Sequence, residues 1–380
     1  MSVVKRLLDL LSAEDVAELE ADEADAKVSP SAWTRPLLEL RSDWLDVAPP
    51  LIDALLWQPP EPSEYRKGAK PFLPAGRVCM MAARGGTGKT WLAWQLAVAV
   101  ATGVPWLGRF AVTKPGPVWL IGGEDDEDTM RRRLWKVADA MKPTGDYEAG
   151  RYDKALRANL RVLPRYGRPS SLEAEGGFLT ELRAALGEHG DDGEPIPWRL
   201  LIFDPASRFM TAEAEVDNKQ ATEWIATLEA LTKLPSRPCV LVTHHTNKAG
   251  SAEGAGDQAA ARGSSALVDG VRWLATLEPV TAGKPPRIVA DRVRLHHAKA
   301  NDVPRLAEPV ELRRRLDDRH GGFLVALDAT ELRELRELRE LRDDDEAGDD
   351  AAKAAAEPAE LVLVARSTTA RQGPLPGGVK

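Results

Sequence analysis

Cysteine is almost missing: Cys79 and Cys239 are the only two in 380 residues. Each sits in an apolar, strand-like run, and neither has a partner at metal-ligand spacing. This excludes a disulfide scaffold and reads as two buried free thiols, which suits a reducing, cytoplasmic setting. Long apolar runs are also missing. No stretch approaches the roughly 18 residues that a membrane helix needs, so no membrane span is expected. The opening MSVVKRLLDLLSAEDVAELEADEADA is acidic and amphipathic. It has neither the long apolar core nor the small-residue cleavage site of a signal peptide. Positive charge is in short supply too: 51 Lys and Arg against 59 Asp and Glu leave a net charge of −8. That speaks against a broad nucleic-acid-coating surface but allows a local basic channel. Much of the negative charge lies near the ends, at 13–25 and in the DDDEAGDD stretch at 343–350.

What is present is an alternation. Short helical patterns occupy the first 58 residues, such as Val3–Leu11 and Leu51–Trp57. The proline-rich, charged stretch up to Pro74 reads as a linker over 59–74. From there apolar strands alternate with amphipathic helices. Strands are predicted at Val78–Ala82, Val118–Ile121, Leu200–Phe203, Val240–Thr243 and Val271–Leu277. Helices are predicted at Trp91–Ala101, Asp128–Met141 and Lys219–Leu234. Such alternation implies an α/β core over 75–329 with a mostly parallel sheet covered on both faces. Residues 330–380 read as a low-complexity tail. Its ELRELRELRELR run has a three-residue period, so its leucines drift around a helix and predict frayed helix at best. The acidic, Ala-rich and Gly/Pro-rich remainder reads as disordered.

The first strand runs into Ala83-Arg84-Gly85-Gly86-Thr87-Gly88-Lys89-Thr90. This is a P-loop with alanine at its first position. Its glycines let the backbone wrap with N–H groups pointing inward, and the next helix adds its N-terminus to the anion site. Lys89 is placed to reach the β- and γ-phosphates of ATP, and Thr90 to put its hydroxyl on Mg²⁺.

Hydrolysis needs carboxylates as well. Asp204 ends the apolar run Leu200-Leu-Ile-Phe, at the strand tip where α/β sheets bind ligands, and is a candidate Mg²⁺ residue. Glu124 follows the strand after the P-loop helix and is the candidate base. Asp125, Asp126, Glu127 and Asp128 compete with it, or answer the dipole of the helix that follows. Thr243-His244-His245 closes another strand. Alternation along that strand lets at most one histidine face the nucleotide. The long polar loop Thr246–Ala261 follows, and Lys248 and Arg262 are candidate DNA-phosphate contacts. The competing reading is a plain surface loop.

Three runs together carry a family resemblance: His244-His-Thr-Asn-Lys248, GAGDQ at 254–258, and RGSSALVDGVRW at 262–273. With Lys299-Ala-Asn301, they resemble the RepA-type hexameric replicative helicases of broad-host-range IncQ plasmids, over roughly residues 71–310. The resemblance implies an α/β fold: a RecA-like P-loop NTPase core with a mostly parallel central sheet, here with an N-terminal helical extension and a disordered acidic tail. It implies ATP and Mg²⁺, single-stranded DNA and a homohexameric ring, and leaves room for a replication initiator or a primase as partner. It makes Lys89, Glu124, His245 and Arg272 catalytic, with His245 sensing the γ-phosphate and Arg272 reaching into a neighbouring subunit's ATP. Arg272 reads otherwise as a local salt-bridge partner. The competing functions are a RecA-like recombination or loading ATPase that does not unwind, and a nucleotide-gated binding protein.

Overall fold

The computed structural model describes residues 52–58, 68–173, 177–187, 190, 193–245, 265–282, 287–335 and 337. The helical pattern at Val3–Leu11, most of the expected linker, the loop bearing Lys248 and Arg262, and the tail from 338 lie outside these residues. The chain divides into two units, Met1–Leu327 and Asp328–Lys380.

In chain order the first unit contains β1 (Ala54–Gln58), β2 (Lys70–Pro74), β3 (Val78–Ala83), α1 (Lys89–Thr102), β4 (Ala111–Val112) and β5 (Val118–Gly122). Next come α2 (Glu127–Met141), α3 (Asp146–Asn159), β6 (Leu160–Pro164), α4 (Gly177–Leu186), β7 (Leu200–Asp204) and α5 (Asn218–Leu231). It ends with β8 (Cys239–His245), α6 (Ser265–Gly270), β9 (Trp273–Ala282), β10 (Arg287–Ala300), β11 (Val310–Arg314) and β12 (Leu324–Ala326).

Nine strands form one sheet in the order β12-β11-β10-β9-β3-β8-β7-β5-β6. From β9 to β6 every pairing is parallel. The antiparallel strands β10, β11 and β12 continue the sheet beyond β9. The central strands are buried on both faces: Cys79, Met81 and Ala83 enter one core cluster, and Val78, Met80 and Ala82 the other. This is the α/β, mostly parallel architecture that alternating strands and helices predict. Cys79 and Cys239 are buried free thiols on neighbouring strands, and burial pushes the Cys79 thiol well above its ordinary range.

Three elements differ from the sequence reading. Leu51–Trp57 reads as helix, yet Ala54–Gln58 is strand β1, the centre of a small antiparallel sheet of order β2-β1-β4. Periodicity cannot separate strand from buried helix in so short an apolar run, and edge pairing on both sides decides it. The end of the expected linker is strand β2, whose Pro71 and Pro74 suit an edge that needs no complete ladder. α1 is not amphipathic: Leu92 through Ala101 are all buried, because the sheet, the hairpin beyond β11 and neighbouring helices cover it all round.

In the second unit the chain is helical from Ala329 to Leu335, overlapping the start of the run expected to fray. Asp328 accepts from the backbone N–H of Thr330 and Glu331 at 2.9 Å, and Glu331 accepts from Asp328 N at 3.0 Å. This reciprocal capping box sits just upstream of the leucine-arginine repeat and supplies the start that the repeat lacks.

An aromatic cluster joins the small sheet to the large one. Phe72 of β2 stacks on Phe110 at 4.1 Å and meets His297 of β10 at 5.1 Å, and His297 lies 5.4 Å from Trp273. The His297 Nδ1 accepts from Leu306 N at 3.3 Å. Burial, helped by the charge of Arg305, pushes the imidazole pKa from 6.5 down to about 4. Native protein therefore refuses a proton that the unfolded chain accepts below pH 6.5. The stability due to neutral His297 is complete above that value and is lost as pH falls towards 4, on the order of 3 kcal/mol in all. Urea melts across this range should show a steeper loss in wild type than in His297→Asn, which keeps an acceptor but does not titrate. Equal slopes would assign the loss to other groups.

Candidate active site

β3 delivers the chain to the phosphate loop. Ala83, the first motif position, is still strand and fully buried, so the wrap has not begun there and glycine is not needed. Gly86 (φ +77°) and Gly88 (φ +113°) take the left-handed backbone that the wrap requires. Thr87 N donates to Arg84 O at 3.2 Å, closing the turn, and α1 begins at Lys89.

Lys89, Glu124, Asp204 and His245 line a single cleft with Thr90 and the loop glycines 85, 86 and 88. Four parallel strand ends bring them together. β3 leads to Lys89 and Thr90, β7 ends on Asp204, and β8 ends on His245. Glu124 comes from β5, two residues past its end, and Gly123 sets its height. Gly123 N donates to Asp204 O at 2.9 Å, and a Cβ on Gly123 would lie 2.6 Å from the Arg208 Cβ. Only glycine passes so close to the neighbouring turn. The Arg208 guanidinium then lies 3.9 Å from Glu124.

The acidic run after β5 sorts itself by partner. Asp126 is the N-cap of α2, accepting from Thr129 N at 2.7 Å, and Thr129's side-chain hydrogen bond, with this backbone bond, holds its carboxyl below the ordinary range. Asp125 is ion-paired with Arg133, although burial still pushes its carboxyl upwards. Glu127 and Asp128 lie in the first turn of α2. Of the run only Glu124 and Asp125 line the cleft, and Glu124, with only the 3.9 Å approach of Arg208, is the less committed of the two.

Asp204 is buried, 6% exposed, and is held from three sides. Thr90 Oγ1 lies 3.4 Å away, Trp94 Nε1 donates at 3.2 Å, and Thr243 Oγ1 donates in a short hydrogen bond. Trp94 was not singled out in the sequence, yet its spacing of four from Thr90 puts both on one helix face. Thr243 and His245, two apart on β8, share a face, and His244 points to the other side. His245 Nε2 lies 3.5 Å from Lys89 Nζ. Burial lowers the Lys89 pKa, and the carboxylates of Asp204 and Glu124 oppose that only in part. A desolvated ammonium beside inward-facing amides is a site that an anion would relieve. The Thr90 hydroxyl and Asp204 carboxylate are hard oxygen donors, the kind that Mg²⁺ takes.

Arg272 is elsewhere. It precedes β9 at the end where that strand pairs with the start of β3, and its backbone N donates to Val78 O at 2.9 Å. Leu277, level with the end of β3, is five residues further on, about 17 Å of strand. The Arg272 side chain is 45% exposed and lies 3.5 Å from Asp302, which Arg77 also holds at 2.7 Å.

A family model described as an AAA domain, AAA_25, matches residues 43–251, more than half of the chain. The chain belongs to this AAA domain family. With its phosphate loop and strand-tip carboxylates in one cleft, this AAA domain is an ATP-hydrolysing P-loop enzyme. It is similar to a solved structure described as an ATPase domain, at 15% identity, over 66% of this chain and 85% of that one, with a TM-score of 0.48. It is similar also to a DnaB-like replicative helicase, described with its interactions with primase, at 14% identity over 86% of this chain and 74% of that one, TM-score 0.48. Likenesses this distant say nothing about substrate. No helix among the described residues is long and apolar enough to cross a membrane.

Proposed function

We propose that this AAA domain is a ring-forming replicative DNA helicase, which hydrolyses ATP between subunits to move along single-stranded DNA and separate the duplex. The observation that carries this reading is the separation of Arg272 from its own cleft. A half-exposed guanidinium at the far end of β9, paired with Asp302 at 3.5 Å, is out of reach of its own phosphates and on the side that another copy's would approach. Arginine suits that task because it stays charged and its fork spreads over transferring phosphoryl oxygens. A site completed only between copies needs a repeating, heterologous contact, which makes a ring where the rotation per copy closes and a filament where it does not.

In this reading the loop amides and Lys89 bind the ATP phosphates. Thr90 and Asp204 would hold Mg²⁺, which when bound neutralises charge developing on the phosphates. Glu124 accepts the proton of the attacking water, helped by being the least committed carboxylate at the cleft. His245, 3.5 Å from Lys89 and the last residue of β8, registers loss of the γ-phosphate and passes it straight into the following loop of Lys248 and Arg262, which touches DNA. A replication initiator or a primase is the natural protein partner.

The test is ATP turnover with and without single-stranded DNA, read beside native mass and fork unwinding. A multi-subunit ring whose turnover DNA stimulates and which separates strands supports the proposal. An unstimulated monomer overturns it. Stimulation without strand separation would replace it with a recombination or loading ATPase.

A further inference from the structure

A P-loop turns its N–H groups towards phosphate and so turns carbonyls away from it. Those carbonyls still need donors. The hairpin of β11 and β12 covers part of the loop. A Cβ on Gly88 would come within 2.9 Å of Leu324 Cδ1 and 3.4 Å of Arg314 Nη2. Arg314, the last residue of β11, fills the need: its Nη2 donates to Gly86 O at 3.1 Å and to Thr87 O at 2.5 Å. Its side chain reaches the cleft wall.

The hairpin that carries Arg314 is itself anchored. The Gln95 amide on α1 brackets Leu324, donating to its carbonyl at 2.7 Å and accepting from its N–H at 3.2 Å. Gly322 packs so near Trp91 that an added Cβ would sit 2.3 Å from the indole. At the turn, Arg319 and His320 both donate to Asp139 of α2, at 2.7 and 2.8 Å. The cation at the loop carbonyls thus rides on an element tied to the helices on either side of the cleft.

We infer that Arg314 is a positioning residue of the ATP site: from outside the loop, and outside the region that the family model matches, it holds the phosphate cradle in its binding shape. One nitrogen serves both carbonyls, so the chemistry asks for a cation with several N–H donors rather than for a fork. The inference holds whether or not the enzyme unwinds DNA, since it concerns any nucleotide polyphosphate that the loop receives.

The measurement is the affinity of full-length protein for fluorescent ATP and ADP analogues, taken with thermal melting of each variant. Arg314→Ala should weaken both nucleotides about tenfold, because two carbonyls lose their donor and the loop relaxes. Arg314→Lys, which restores several N–H donors on one nitrogen, should return to within about threefold of wild type. A residue that merely pins the hairpin would lower the melting temperature and leave the affinity per folded molecule alone. Wild-type affinity in folded Arg314→Ala overturns the inference. So does Arg314→Lys binding as weakly as Arg314→Ala. If Arg314→Ala does not fold, Arg314→Gln takes its place: weaker binding than the lysine variant supports the inference, and equal binding overturns it.

Discussion

Glu124→Gln should lower ATP turnover about a thousandfold while ATP affinity stays within about threefold of wild type. The amide keeps the shape of the carboxylate and cannot take a proton from water. The neighbouring carboxylates are poor substitutes. Asp126 is spent on the N-cap of α2, and Asp125 is paired with Arg133. The binding groups, Lys89 and the loop amides, belong to another strand end, so ATP should still bind. Single-turnover hydrolysis beside equilibrium binding separates the two quantities. Turnover within tenfold of wild type would remove Glu124 from the base position, and Asp125, which also lines the cleft, would be next to test.

Arg272→Ala should be nearly as severe, about a thousandfold in turnover, and for a different reason. Its own cleft is intact, so each variant subunit should bind ATP normally. Asp302 keeps Arg77 at 2.7 Å, so the local fold should survive the loss. The decisive arm mixes subunits. Lys89→Ala is inactive through its own cleft, and Arg272→Ala through its neighbour's. Random assembly of equal parts joins an intact cleft to an intact arginine at about a quarter of the interfaces. Turnover should therefore reappear when two dead variants are mixed. A mixture as inactive as its components would return Arg272 to the role of a salt-bridge partner for Asp302.

The site was legible to the extent that its residues end strands. Lys89 and Asp204 each follow an apolar run, and a parallel sheet puts the ends of such runs on one edge. His245 could be narrowed only to one of two adjacent residues until β8 fixed which face looks at Lys89. Sequence alone favours Glu124 over the four acidic residues after it only by its place nearest the strand end. In the structure Asp125 is paired with Arg133, Asp126 caps α2, and Glu127 and Asp128 sit on its first turn outside the cleft lining, all of which depends on where α2 starts. Arg314 carries no local signal, because it stands 227 residues from Thr87 and meets it only through the antiparallel end of the sheet.

By itself, then, the sequence determined the alternation of strands and helices, the glycine-lined anion loop and the strand-tip aspartate. Each is written in neighbouring residues, through hydrophobic period and backbone freedom. Only the tertiary structure decided that Ala54–Gln58 is strand, that Trp94 and Thr243 grip Asp204, that Arg272 faces away from its own cleft, and that Arg314 caps the loop. These are questions of which distant groups satisfy one another's hydrogen bonds and charges. Local sequence does not encode the answers, because the partners lie tens to hundreds of residues apart.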